Sequence, residues 1–349
     1  MKSPFRSLLA VLASAATAFA ADSATPAGAD TATPPAANAA PAAPRPRPAR
    51  PAVPPGADNY ELGPDSKVQP GVPQGTWDKF VWDKSTIYPN TIRDVWVYIP
   101  AQYDPKVPAC LMVVQDGVRQ YAARESTPED RAHRRTPEYC MPTVLDNLIN
   151  RKELPVMITV FINPGSTKIS PTGTPDFQNR SVEYDTVSDL YSQFLAKEIL
   201  PVVESKYNIR KDPAGRAIGG ISSGAICAFT VAFNHPDWFS KVLSDVGSFT
   251  AIRGGDAYPQ IIRDAEPKPL RVHMQDGTHD NRNPDSPQRD WYLQNRLVLE
   301  ALVDKGYDVQ YVLGHGIHSS KFGGAILPDS LRWLWRDEVP GYVKSTQNK

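Results

Sequence analysis

The sequence predicts an α/β fold in which one mostly parallel central sheet carries helices on both faces. Three observations support that expectation. Short, continuous apolar runs, clearest in Cys110 to Val114 and Val156 to Ile162, fit strands buried on both faces. Between them stand stretches with apolar residues at three- and four-residue spacing, the period of a helix with one buried face. The two kinds alternate along the chain, the order that a helix-covered parallel sheet needs.

The chain begins with Lys2 and Arg6 ahead of an apolar run from Leu8 to Ala18, followed by Ala18-Phe19-Ala20. This is the pattern of a cleaved secretory signal over residues 1–20. The run falls short of the about 20 apolar residues a membrane span needs, so no stable span is expected after cleavage. From 21 to 75 the composition is Ala, Pro and Thr, peaking in Pro44-Arg45-Pro46-Arg47-Pro48. Such a stretch has too little apolar surface to offset its ordering entropy and reads as an extended tether. Residues 76–349 are expected to form the one folded domain. Lys plus Arg and Asp plus Glu number 38 each, so no basic field is present to hold nucleic acid. The oligomeric state is not legible.

Taken in order, Lys79 to Ser85 and Thr91 to Ile99 alternate and are rich in β-branched and aromatic residues, which predicts an antiparallel pair at a sheet edge. Cys110 to Val114 is the first buried strand. Arg119 to Met141 is long and charged and reads as an insertion over the sheet, and Thr143 to Asn150 as a short helix. Val156 to Ile162 is the next strand, and Pro164 to Asn179 a second surface loop. Val187, Leu190, Tyr191, Phe194, Leu195, Ile199, Val202 and Val203 line one helix face that Pro201 interrupts. Arg216 to Ile221, Lys241 to Val246, Leu270 to Gln275 and Asp308 to Leu313 are the remaining strands, with a helix over Trp291 to Lys305. Cys110 and Cys227 read as small buried hydrophobes. Cys140 alone is left as a candidate for pairing.

The chemistry centres on Gly220-Ile221-Ser222-Ser223-Gly224. Between a buried strand and the uncharged run Ala225 to Phe233, this is a nucleophile elbow. The flanking glycines are needed because the serine backbone is strained and a side chain on either side would strike the neighbouring strand or helix. A serine hydroxyl needs a base, and the base needs a group to orient it. In an α/β-hydrolase these follow in the order serine, acid, histidine, on loops at the carboxyl ends of the strands. Of the six histidines, that order leaves the loop Gly314-His315-Gly316-Ile317-His318. His318 stands deeper in it, with His315 as the alternative. The acid belongs in Asp276-Gly277-Thr278-His279-Asp280. Asp280 has the better reach to the imidazole, and Asp276 looks like a turn-former. An oxyanion hole needs two backbone N–H groups. One would be that of Ser223, the other that of Gly117 or Val118. Asp116 reads as a turn carboxylate.

With these residues the chain resembles the enterochelin-esterase-like esterases, relatives of the feruloyl and acetyl-xylan carbohydrate esterases, from about Trp77 to Arg336. The resemblance is most specific in Asn179-Arg180-Ser181-Val182-Glu183-Tyr184-Asp185, in Gly219 to Ala225, in Gln275 to Asp280, and in His318 with Gly323-Gly324-Ala325-Ile326-Leu327-Pro328. It implies Ser222 as nucleophile, Asp280 as acid and His318 as base. It also implies that Arg180, with the Glu183 group and Asp116, supports the rim of the site or touches substrate. Siderophore-cleaving members carry an amino-terminal domain, where this chain has a proline-rich stretch, and the oxyanion turn reads Gln-Asp-Gly in place of His-Gly.

The expectation is a metal-independent serine esterase, without cofactor, secreted or periplasmic. It would act through an acyl-enzyme on feruloyl, acetyl or related esters of plant polysaccharide. Three alternatives share the same residues or fold: a siderophore esterase, an acyltransferase with a sugar hydroxyl as acceptor, and a catalytically silent carbohydrate-binding module. A metal hydrolase using His315 and His318 ranks behind these, because no carboxylate cluster accompanies them.

Overall fold

The computed structural model describes residues 54–122, 139–167 and 179–339. The expected signal sequence, most of the expected tether, the greater part of the charged insertion and the middle of the second loop lie outside these residues. The strands are β1 (Thr76–Trp82), β2 (Thr91–Ile99), β3 (Cys110–Gln115), β4 (Met157–Ile162), β5 (Ser166–Thr167), β6 (Arg216–Ile221), β7 (Lys241–Asp245), β8 (Arg271–His279) and β9 (Asp308–Ile317). They form one sheet in the order β1-β2-β4-β3-β6-β7-β8-β9, with β5 beside β2. The pairs β1·β2 and β2·β4 are antiparallel, and every pair from β4 to β9 is parallel.

The helices are α1 (Gly117–Tyr121), α2 (Met141–Asn150), α3 (Arg180–Tyr184), α4 (Leu190–Phe194), α5 (Leu200–Lys206), α6 (Ser223–Asn234), α7 (Tyr258–Asp264), α8 (Trp291–Asp304) and α9 (Lys321–Leu334). Between α4 and α5 the long helix widens into one π turn, Leu195–Ile199, just ahead of Pro201. A proline has no N–H for the ladder, and the extra residue accommodates the loss.

The pleat of β3 shows how the sheet divides the core. Leu111 and Val113 face one way, packing with Phe194, Phe229 and Val298 from α4, α6 and α8. Cys110, Met112 and Val114 face the other, packing with Val144, Leu148 and Leu331 from α2 and α9. Successive side chains of a strand point to opposite faces, so a run without polar residues needs a helix layer on each side. All three cysteines are free and buried, Cys140 among them.

Two expectations change. β8 and β9 run four residues further than the sequence suggested, carrying Asp276, Gly277, His279 and Gly314 within paired strand, with His315 at the irregularity between the pairs Gly277–Gly314 and His279–Ile317. Asp276 is therefore not a turn residue. Gly277 and Gly314 face each other in register, and a Cβ on Gly277 would lie 2.4 Å from the Gly316 carbonyl oxygen. Glycine here permits close approach of two backbones, a role that composition alone does not separate from a turn. The other change concerns residues 54–75, assigned to the tether. They lie folded against the domain, with a 3-10 turn at Pro64–Ser66 and with Asp58 and Ser66 buried. Asn147 Nδ2 donates to the carbonyls of Asp65 and Lys67, and Asp65 pairs with Arg151 and Arg332.

Candidate active site

β6 ends at Ile221 and α6 begins at Ser223, so Ser222 is the single residue in which the chain reverses. Its φ of 59° is the strained value that an elbow imposes on a non-glycine residue. Packing from both sides holds it there. The Ser222 N–H donates to the Asp245 carbonyl at 2.9 Å, and its own carbonyl accepts from the Ser248 N–H at 3.1 Å. A Cβ on Gly220 would lie 2.1 Å from the backbone of Gly224, so the glycine before the serine lets α6 fold back onto the strand.

Ser222 Oγ lies 2.8 Å from His318 Nε2, and His318 Nδ1 lies 2.6 Å from Asp280 Oδ1. The three residues, 96 and 38 positions apart along the chain, meet at the carboxyl ends of β6, β8 and β9. Because Nδ1 faces a carboxylate it carries the ring proton, which leaves Nε2 free to accept from the serine. Both nitrogens of His318 are thus engaged. His315, the alternative base, is exposed and stands 3.3 Å from Thr278 Oγ1, against the His279 ring.

Asp280 is buried, and its Oδ2 has no conventional donor. The neighbouring Asp276 is fully buried inside β8. Burial, and then the charge of Asp280, hold the Asp276 carboxyl well above the usual carboxylate range. Asp276 thus lies beside the carboxylate that faces His318, in surroundings that disfavour a second negative charge there.

A second hydrogen-bond chain reaches the serine from the other side. Trp291 Nε1 donates to Ser248 Oγ at 2.9 Å, and Ser248 Oγ lies 2.9 Å from Ser222 Oγ. An indole N–H can only donate. It occupies one lone pair of Ser248 Oγ, and with the Ser222 proton given to His318 Nε2 the Ser248 hydroxyl is the donor to Ser222 Oγ. The Trp291 ring also stands edge-on to the imidazole, with centroids 5.8 Å apart.

The turn after β3 lies beside the elbow, since a Cβ on Gly224 would come within 2.9 Å of Asp116 Oδ2. Asp116 and Gly117 both have positive φ, 71° and 67°. Gly117 opens α1 and Val118 is buried behind it. Ser223, at the start of α6, is among the first residues of a helix, whose N–H groups have no partner within the helix. Arg180 ties the two turns together: its guanidinium grips Asp116 at 2.6 and 2.9 Å and donates to the Ile221 carbonyl at 3.3 Å. Glu183 is buried away from this rim. It pairs with Arg93 and accepts from Asn179 Nδ2 and the Gly165 N–H, so it supports the loop from below.

Arg93, Ser248 and Trp291 were missed in the sequence. Arg93 gave a signal, because it occupies an inward position of the alternating strand β2, where a buried guanidinium demands a carboxylate. Ser248 and Trp291 gave none, since nothing local marks either as a partner of Ser222.

A model of the family described as putative esterase matches residues 87–333. An uncharacterized protein of Bacillus subtilis, YbbA, is 22% identical over 198 residues, covering 55% of this chain and 78% of that one. Among solved structures, the enterobactin esterase of Shigella flexneri, studied in the presence of enterobactin, is 20% identical with a TM-score of 0.59, over 78% of this chain and 62% of that one. The ferric enterobactin esterase of Salmonella typhimurium is 19% identical, TM-score 0.60, over 80% and 62%. The feruloyl esterase module from Clostridium thermocellum, complexed with sinapinate, is 17% identical, TM-score 0.54, over 83% and 96%. The chain thus spans about three fifths of the enterobactin esterases and nearly all of the feruloyl esterase module. At these identities the likeness to the solved structures is one of fold.

Proposed function

The chain belongs to the putative esterase family, carboxylic ester hydrolases of α/β-hydrolase fold, and we propose that it works by an acyl-enzyme mechanism with Ser222 as nucleophile, His318 as base and Asp280 as the orienting acid. The observation that carries this reading is the unbroken hydrogen-bonded line Ser222 Oγ, His318 Nε2, His318 Nδ1, Asp280 Oδ1 at an elbow of positive φ.

As Ser222 Oγ attacks the ester carbonyl, its proton passes to His318 Nε2, and Asp280 stabilises the imidazolium that forms. The developing oxyanion is taken by the N–H of Ser223 and that of Gly117 or Val118. His318 then returns the proton to the departing alcohol. Water, deprotonated by the same nitrogen, releases the acid from Ser222. No step calls for a metal or cofactor.

For substrate, the reading is a feruloyl, acetyl or related ester of plant polysaccharide, hydrolysed after export by the signal at residues 1–20. The likeness to the feruloyl esterase module, which extends over 96% of that module at a TM-score of 0.54, supports it. Among the described residues no helix is long and apolar enough to cross a membrane.

The test sets wild-type protein beside Ser222→Ala on methyl ferulate, an acetylated xylo-oligosaccharide, a glucuronoyl ester and a catecholate siderophore. Removing a nucleophile should lower kcat by about a thousandfold or more. Turnover of the siderophore alone would reassign the substrate, and equal turnover by both proteins would reject Ser222.

A further inference from the structure

We propose that Asp58, on the folded segment ahead of the family-matched region, is a positioning residue for the base His318, holding the loop that carries it from the open side of the sheet. The inference rests on the reading of His318 given above and goes beyond it, since residues 54–75 precede the 87–333 match and read by composition as a spacer.

The loop needs such a hold because of where it stands. Among the described residues β9 is the last strand of the sheet, and no strand pairs with its outer edge to fix the chain as it leaves for α9. Residues 54–60 take that place. The Asp58 N–H donates to the His315 carbonyl at 3.0 Å, as a paired strand would. Asp58 Oδ1 accepts from Ser319 Oγ at 2.7 Å, and Oδ2 faces Lys321 Nζ at 3.5 Å. The Tyr60 ring lies on Phe322 with centroids 4.6 Å apart, and Phe322 in turn covers Gly314. Partners of this segment therefore stand on both sides of His318 in the chain, at 315 before it and at 319, 321 and 322 after it.

The segment is shaped for this contact. Asp58 has a φ of 68°, a left-handed value that Asp tolerates better than most residues, and its side chain is 6% exposed. Gly316 faces it, and a Cβ there would come 3.0 Å from Asp58 Oδ1 and 3.4 Å from the Tyr60 ring. Further along, Asp65 anchors the same segment to Arg151, just past α2, and to Arg332, at the far end of α9 from the His318 loop. One anchor thus bears on the base and the other on the body of the domain, so the two can be separated by experiment.

The experiment compares full-length wild type, Asp58→Ala, Asp58→Asn and Asp65→Asn in 4-nitrophenyl acetate hydrolysis, at a temperature where melting curves show each to be folded. A base displaced by a fraction of an ångström costs rate at the chemical step. Asp58→Ala should lower kcat about tenfold with KM within about twofold. Asp58→Asn keeps an oxygen for Ser319 and should recover most of the loss, while Asp65→Asn should lower Tm and leave kcat unchanged. A kcat for Asp58→Ala within twofold of wild type overturns the proposal, and so does an equal loss in Asp65→Asn. Ser222→Ala in the same assay keeps the two readings apart. If it is inactive while Asp58→Ala is fully active, the positioning role alone fails; if it is active, the triad falls and the positioning role with it.

Discussion

Ser222 and His318, the proposed nucleophile and base, are held by opposite means. Ser222 stands at the centre of the sheet, on a strand flanked by β3 and β7 and buried along its whole length, and backbone hydrogen bonds to the β7 strand end fix it. His318 stands at the sheet's edge, on a loop held largely by side chains, several of them from a segment more than 250 residues away in sequence. A strained backbone needs rigid packing on every side, because any slack lets it relax. A ring that must accept and return a proton needs orientation more than confinement, and two or three polar contacts supply it.

The sharpest way to break that contrast is to add one methyl group on each side. Gly220→Ala drives a Cβ into the backbone of Gly224, where nothing can give. It should abolish activity and destabilise by about 3 kcal/mol or more, read by thermal melting. Gly316→Ala meets only the side chains of Asp58 and Tyr60 at 3.0 and 3.4 Å. Its effect should stay within about tenfold in kcat with Tm lowered by a few degrees. Equal damage from the two would mean that the base is confined as tightly as the nucleophile.

Ser248→Ala comes next, because it removes the donor to Ser222 Oγ while leaving Ser222 and His318 in place. Loss of one neutral hydrogen bond of about 1 kcal/mol predicts a several-fold fall in kcat with KM little changed. No change in steady-state kinetics would mean that His318 alone sets the serine rotamer.

The smallest effect concerns stability alone. Asp146 accepts from Tyr98 Oη at 2.6 Å and from the Gly75 N–H at 3.2 Å, where the folded amino-terminal segment enters β1. Burial pushes its carboxyl up to about 6, against which those two donors act only in part. The folded value lies above the unfolded one, so stability is intact below about pH 4 and falls as pH rises toward and through 6. Asp146→Asn keeps an acceptor oxygen and removes the charge. It should raise stability by about 1–2 kcal/mol at pH 8, leave Tm unchanged near pH 3.5, and leave kcat as it was.

Much of the site could be read from the chain because its chemistry is local. The strand over Arg216 to Ile221 and the elbow after it are a continuous signal of apolar run, glycine, serine and glycine, and the observed strand has those same limits. The order serine, acid, histidine then narrowed the partners to two loops, in which Ser222, Asp280 and His318 do meet. What escaped was contact between distant segments. Asp276 looked like a turn residue because Gly277 follows it, yet that glycine lets β8 and β9 run side by side. Arg180 was grouped with Glu183, its neighbour on α3, but its partner is Asp116, 64 residues earlier. Residues 54–75 looked like spacer because proline and alanine bury little, and their hold on the domain comes from a few polar side chains that composition cannot weigh.

The three thiols have a consequence for life under oxidising conditions. A thiol reacts as its thiolate, and burial raises all three: Cys110 to about 11, Cys140 in the same direction, Cys227 well above its ordinary value. Burial thus keeps the reactive form scarce at neutral pH and closes all three sulfurs to oxidants. In the folded chain none of the three is exposed to cross-link with another molecule.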